Sequence, residues 1–327
     1  MQRRRLLQSL SVLGAATLPH ALLAQPKDAP IKILCGFAPG GLTDVVSRLF
    51  AEKLRTELGQ TVIVENKPGA AGRLATQALK AAPPDGRTLM IAPNSGPIFL
   101  EILYPRSALG YDLLNDLTPV GTMTTYPFGM VVQRSLGVKN AQEYVAWVKA
   151  NPKEAVYGNA GAGGHAHFVG TKLSQAIGVP LLSIPYKGNG PVNIDLVGGQ
   201  LPAAILPASD LMQHRNNPKL QILGLFEKTR SPLVPEVPTF AEQGLNIAVG
   251  QAWMGMWTTA KTPKAEIEKI ENALRKVLAD PGFKEALMTR FTMFPMFHTA
   301  AETDKLQRDE IELWRPIIKA SGFTPDQ

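Results

Sequence analysis

The feature that most constrains the fold is an apolar run that stops at a glycine pair and restarts as a helix. The pair lies in FAPGGLTD, residues 37–44; just before it, a short run in which Ile31, Ile33 and Cys35 alternate with Lys32 and Leu34 reads as a largely buried strand. After it Val46, Leu49, Phe50 and Leu54 recur at helical spacing until Gly59, a natural end for a helix. Thr43 and Asp44 stand where helix caps usually stand, and Asp44 would either cap the helix or meet an amino group of a ligand. A strand-to-helix corner of this kind leaves backbone N–H groups and the positive end of a helix dipole open to an anion. Gly40 and Gly41 have no Cβ to keep a ligand away from the main chain. A tight turn in any α/β protein has the same residues, so the corner alone does not decide between the two.

A second corner repeats the pattern. NAGAGGHAH, residues 159–167, places Gly161, Gly163 and Gly164 between a strand, AVYGNA, and a helix that opens near His165. Strand and helix patterns alternate through most of the chain, as α/β layers require: TVIVEN (61–66), TLMIAP (88–93), FGMVVQ near residue 130, LLSIPY (181–186), PAAILPA (202–208) and LQILGLF (220–226) are strands. From Thr262 onward the chain is helical, with Thr262 as cap, Pro263 at the first helical position and Ile267, Ile270, Leu274 and Val277 on one buried stripe. If the two halves are two lobes, their glycine corners face each other across a cleft and hold one small diacid between them.

The 327 residues, 45% of them hydrophobic, suffice for a large core and favour two lobes over one. Three arginines, Arg3 to Arg5, precede an apolar stretch to about Leu18 and small residues near Ala21 to Ala24, the order of a bacterial export signal. The leader is expected to span 1–24, with Leu22 fitting the A-x-A cleavage pattern poorly. Consecutive arginines before Leu-Leu also resemble a twin-arginine signal, and an ordinary secretory leader with a basic start fits equally. No later run is long and apolar enough to cross a bilayer, so the mature chain is expected to be soluble in the periplasm. The formal charge of +7 drops by three once those arginines leave, and the remaining cations are dispersed, which gives nucleic-acid binding little support. Cys35, the only cysteine, excludes an intrachain disulfide and a cysteine zinc site and is expected to be a buried apolar side chain.

Catalytic motifs are weak. Gly161, Gly163 and Ala166 match a loose dinucleotide fingerprint but lack the acidic residue about twenty positions on. His165 and His167 would point to different sides of a helix start, with no further ligand cluster nearby, so no metal and no cofactor is expected. Asn94 and Ser95, in APNSGP, follow a strand; Ser95 has no evident base and reads as a binding hydroxyl at best. Tyr186, at a strand end in IPYKGNGP, is either core or a ligand contact. No nucleophile, base or metal set survives, so the chain is expected not to be an enzyme.

Taken together, FAPGGLTDVVSR, LGQTVIVENKPGAAG, PPDGRTL, YDLLNDLTPVG, VKANP, NAGAGGHAHF, IPYKGNGP, DLVGGQ, RSPLVPEVPTFAEQGL and AWMGMW, in this order through nearly all of the mature chain, resemble the substrate-binding proteins of tripartite tricarboxylate transporters, the Bug-type periplasmic receptors. The resemblance implies a two-lobed, type II periplasmic-binding-protein fold of the Venus-flytrap kind, each lobe an α/β sandwich. It places lobe 1 at 25–125 plus 251–327 and lobe 2 at 126–250, with crossings near Thr125 and Gly250. It further implies a monomer that captures a small carboxylate, often a dicarboxylate, and hands it to the small and large membrane subunits of a permease. The family's ligand loops fall here at Gly40, Gly41 and Thr43, at Asn94 and Ser95, at Gly161, Gly163, Gly164 and His165, and at Tyr186. Two departures bear on specificity. Gly164 stands where the family usually has Ser, and Pro202 and Leu206 stand in a strand that usually carries Asp, so that wall is expected to be more apolar and to favour an aromatic or longer aliphatic acid. A periplasmic sensor subunit and a carboxylate-processing enzyme are the alternative readings.

Overall fold

The computed structural model describes residues 29–247 and 251–324; the leader and the crossing expected near Gly250 lie outside the described residues. In chain order the strands are β1 (Ile31–Cys35), β2 (Val62–Asn66), β3 (Thr88–Pro93), β4 (Leu117–Tyr126), β5 (Phe128–Gln133), β6 (Val156–Asn159), β7 (Leu182–Pro185), β8 (Ala203–Pro207), β9 (Leu220–Leu225), β10 (Ala252–Thr259) and β11 (Phe294–Pro295). They form two sheets, ordered β11-β4-β10-β3-β1-β2 and β7-β6-β8-β5-β9. In the first, β1 runs parallel to β2 and β3, while β10 is antiparallel to both β3 and β4. In the second, β6 runs parallel to β7 and β8, and β5 is antiparallel to β8 and β9. Each sheet thus has a strand, β1 or β6, with parallel neighbours on both sides. The carboxyl ends of such strands are where ligands bind in open α/β sheets.

Helices α1 (Leu42–Leu58) and α2 (Arg73–Lys80) follow β1 and β2; α3 (Ala141–Ala150), α4 (His165–Ile177), α5 (Asn189–Val197) and α6 (Ala208–Gln213) belong to the middle of the chain. The end of the chain supplies α7 (Lys264–Ala279), α8 (Pro281–Phe291) and α9 (Ala300–Ala320). Val46, Phe50 and Leu54 bury one face of α1, and Phe50 meets Phe283 of α8 edge to face at 4.9 Å. Helix α7 begins one residue later than its sequence signal: Pro263 is the cap, while the Thr262 hydroxyl bonds Thr258. Helix α9 opens with a Thr299/Glu302 capping box and sends Trp314, almost wholly buried, inward. Strand β10, which pattern reading passes over, is buried at every residue in the middle of the first sheet. A strand covered on both faces shows no alternation to read.

The first sheet leads directly into the second, since β4 ends at Tyr126 and β5 starts at Phe128. Beside this passage the Thr125 hydroxyl bonds Gln251 Oε1 and the Ala252 carbonyl, both at 3.0 Å. Gln251 also hydrogen-bonds the Glu227 carboxyl, which burial pushes up to about 7 against that bond's opposing effect. Because the folded value lies above the unfolded one, the favourable contribution is complete below the unfolded value and is lost as pH rises through about 7. Replacing Glu227 by Gln keeps an acceptor and removes the charge. The variant is expected to be more stable than the parent at pH 8 by about 2 kcal/mol, with the gain gone near pH 4, in urea unfolding at a series of pH values. An equal difference at every pH would refute this.

Candidate functional site

Strand β1 ends at the wholly buried Cys35 and the chain turns through residues 36–41 into α1. The helix cap is Gly41, with no side chain bonding back to the first turn. Asp44 is therefore not the cap. Its carboxylate reaches backwards instead, taking the Gly40 N–H at 2.9 Å, Asn66 Nδ2 at 2.8 Å and the Arg48 guanidinium at 2.9 Å. Burial would raise the Asp44 carboxyl, but the bonds from Arg48, Gly40 and Asn66 outweigh it and hold the group below its ordinary value. Asp44 locks the turn and has little left to offer a ligand's amino group. The residue that needs glycine is Gly40, at φ 83°; Gly41 has φ −77° and ψ 166°, which any residue adopts.

The second corner is built in the same way. Asn159, buried at the end of β6, accepts the Gly161 N–H at 3.0 Å, and Gly164 caps α4 without a side-chain bond. Gly163 takes φ 72° and donates its N–H to His167 Nδ1 at 2.9 Å. The two histidines separate as the helix start requires. His165 stacks on Phe128 at 5.0 Å and Phe99 at 5.9 Å and meets Trp314 edge-on at 5.3 Å. His167 meets Phe323 at 4.5 Å, and burial lowers its pKa from the ordinary value.

A third corner reads in the sequence as a glycine-rich turn after Tyr186 and Lys187, without its helix start being assigned to the ligand site. Gly188, again without a side-chain bond, caps α5 after β7, and the side chain of Asn189 in its first turn bonds Asp210. Asp210 also takes Asn193 Nδ2, both bonds at 3.0 Å; burial pushes its carboxyl up to about 6 although the two amides draw it down. The signal was present in Gly188-Asn189-Gly190, glycines at a helix start once more.

All three corners open on one cavity of about 230 Å³. Of the residues expected from the sequence, Gly40, Gly41, Thr43, Ser95, Gly161, Gly164 and His165 lie on its wall. Asp44, Asn94, Gly163 and Tyr186 do not. Asn94 is buried and turned into the first lobe, where its amide donates to Glu310 at 2.9 Å. The Tyr186 hydroxyl donates to Asp195 at 2.7 Å, and its ring borders an adjoining groove. Leu206 is buried in the second lobe's core, so the apolar wall comes instead from Phe37, Tyr126, Phe128 and Pro207. Among the described residues no protein acceptor takes the N–H groups of Leu42, Thr43, Ala166, Asn189 or Gly190, all on this wall. Among the described residues the wall carries no Asp or Glu, and its single Lys or Arg is Lys187.

Two α/β lobes with a cavity between their strand ends define the class: a two-lobed periplasmic solute receptor of the type II fold. The chain belongs to the tripartite tricarboxylate transporter family receptors, whose family profile matches residues 46–323. It is 32% identical to a Cupriavidus necator protein described as "UPF0065 protein in gbd 5'region", over all of both chains. The structure of the periplasmic binding protein BugD superposes with a TM-score of 0.84 at 30% identity, covering 91% of this chain and 99% of that one. MatC from Rhodopseudomonas palustris with bound malate superposes at 0.80 and 26% identity, covering 88% and 98%. The family and these neighbours are receptors, so this chain is a receptor and not an enzyme.

Because Gly41 has ordinary dihedrals and a Cβ there would only touch the Ala38 carbonyl at 3.6 Å, Gly41→Val is expected to fold normally. Its branched side chain would stand on the cavity wall in front of α1. Ligand affinity is expected to fall by roughly ten- to a hundred-fold, the equivalent of one charge-assisted hydrogen bond, in calorimetry backed by circular dichroism. Parental affinity in the folded variant would mean that this corner is only a turn.

Proposed function

We propose that the protein is exported to the periplasm, captures a small carboxylate between its lobes and delivers it to a tripartite membrane permease. The observation that carries this reading is the convergence of three helix N-termini, those of α1, α4 and α5, on one cavity, each with a glycine cap and none with a side-chain cap. Unpaired N–H groups and three dipole ends favour a negative charge, and they come from both sheets. The absence of carboxylates from the wall, among the described residues, supports an acid over an amine or amino acid, whose ammonium group would find no counter-charge. Malate bound to MatC supports the same class. The proposed lobes divide at 25–125 plus 251–327 and 126–250, and a ligand held by both would draw them together. Among the described residues no helix is long and apolar enough to cross a membrane, so delivery is assigned to separate permease subunits.

A thermal-shift panel of sodium carboxylates against their amides tests the reading. An acid at about a hundred times its dissociation constant is expected to stabilise the fold by roughly 2.7 kcal/mol, and its amide to bind at least tenfold more weakly. Equal binding of acid and amide would sink the proposal. Solution scattering at saturating acid is expected to show a smaller radius of gyration than the free protein.

A further inference from the structure

Three buried side chains, Asp44, Asn159 and Asp210, anchor the three corners, and the last differs from the other two. Asn159 is neutral, and the Asp44 carboxylate pairs with Arg48 at 2.9 Å. Asp210, 7% exposed in the first turn of α6, has no cation. Among the described residues its side chain bonds only the amides of Asn189 and Asn193, one on each carboxylate oxygen at 3.0 Å. Asn189 stands on the cavity wall in the first turn of α5. An ionised Asp210 therefore puts an unneutralised charge one side chain behind a helix N-terminus that the cavity offers to an anion.

Among the described residues, nothing packed around Asp210 supplies the missing charge. Strands β5 and β8, against which α6 lies, carry no ionisable side chain. Helix α8 also packs on α6 but leaves Lys284, Glu285 and Arg290 exposed. Asp195, the one ionisable residue of α5, accepts the Tyr186 hydroxyl at 2.7 Å, and Lys187 ahead of that helix is exposed. From β4 comes Tyr126 on the cavity wall, whose pKa is raised by burial and then by the Asp210 charge. Just beyond α6, His214 Nε2 bonds Asn193 Oδ1 at 2.9 Å; burial lowers the His214 pKa and leaves the ring neutral, while Arg215 is exposed. Burial accordingly pushes the Asp210 carboxyl up to about 6, against the opposing pull of Asn193 and Asn189.

We propose that Asp210 is a positioning residue that couples ligand to protons: when an anion binds at the start of α5, Asp210 takes up one proton from the medium, so the receptor holds its carboxylate more tightly as pH falls. This rests on the reading of the cavity as a carboxylate site. Like charges set the direction. A bound carboxylate disfavours the second negative charge behind it and raises the Asp210 pKa, and by linkage the protonated form binds the anion better. The amides allow the change. Asn193 is held at its oxygen by His214 and keeps its orientation. Asn189 Oδ1 has no protein partner among the described residues, so this amide turns over, accepts the new carboxyl O–H and presents Nδ2 where Oδ1 was. A wall residue thereby exchanges an acceptor for a donor.

Calorimetry of sodium malate, hexanedioate and benzoate between about pH 6.5 and 8, where these acids are ionised, in two buffers of different ionisation enthalpy, tests this. Binding that moves the Asp210 pKa from about 6 to about 7 takes up roughly half a proton per anion at about pH 6.5 and is about threefold tighter there than at about pH 8. In Asp210→Asn the uptake is expected to vanish and affinity at the upper pH to be no lower than the parent's. Asp210→Ser, likewise without uptake, serves should the first variant fold poorly. Glu227→Gln, beside the crossing between the lobes and off the cavity wall, is expected to keep the uptake. Binding to the parent without proton uptake, or uptake that persists in the folded Asp210 variants, would overturn the coupling and leave the carboxylate site standing. Weaker binding as pH falls would overturn it too, by making the ionised Asp210 a plain anchor. If none of the three acids binds, both readings fall.

Discussion

Everything at this site depends on helices that begin without a side-chain cap. A helix leaves its first N–H groups unpaired, and most helices satisfy one of them with Ser, Thr, Asp or Asn at the cap. Here α9 does so with Thr299 and α3 with Asn140, both away from the cavity. The three helices that open on the cavity have glycine instead. Their N–H groups stay available, and the missing side chains leave the space in front of them empty. The cost of leaving those caps out is on the order of 1 kcal/mol per helix or less, since glycine is among the better cap residues, and a bound anion more than restores it.

The rest of the architecture holds these three ends in place. Asp44 binds Gly40, Asn66 and Arg48 and so fixes the corner after β1. Asn159 does the same after β6, and Asp210, through Asn189 and Asn193, fixes the start of α5. Each is buried and directed away from the cavity, so side-chain polarity is spent on the loops and backbone polarity on the cavity. Helix α9 adds a link that neither sheet provides. It reaches from the first lobe, where Glu310 holds Asn94 and Trp253, to His165 through Trp314, and Phe323 beyond its end meets His167.

Pattern reading succeeded where the chemistry was local. The strands at 31–35, 62–66 and 88–93, the corners at Gly40 and Gly161 and the helices behind them follow from alternation, glycine and apolar spacing within a dozen residues. It failed for β10 and β4, where burial on both faces removes alternation and where Pro119 and Gly121 interrupt the run. At the third corner the strand, the glycine-rich turn and the helix are each legible in the sequence, but attention fell on Tyr186 at the strand end, and nothing local says that the helix start behind it faces the same cavity as the other two.

What the sequence by itself determined is the set of strand–glycine–helix corners, the buried character of Cys35 and the family to which the chain belongs, because each rests on residues close together or on blocks in a fixed order. Which side chains face the cavity was decided only by the tertiary structure. Asn94 and Ser95 are neighbours, yet one turns to Glu310 and the other to the cavity; Leu206 and Pro207 likewise part between core and wall. One step reverses a side chain's direction along the strand at Leu206–Pro207 and swings it well round the axis in the helical turn that Asn94 opens. The partners that fix that direction, Glu310 for Asn94 above all, lie too far along the sequence for any local pattern to announce them.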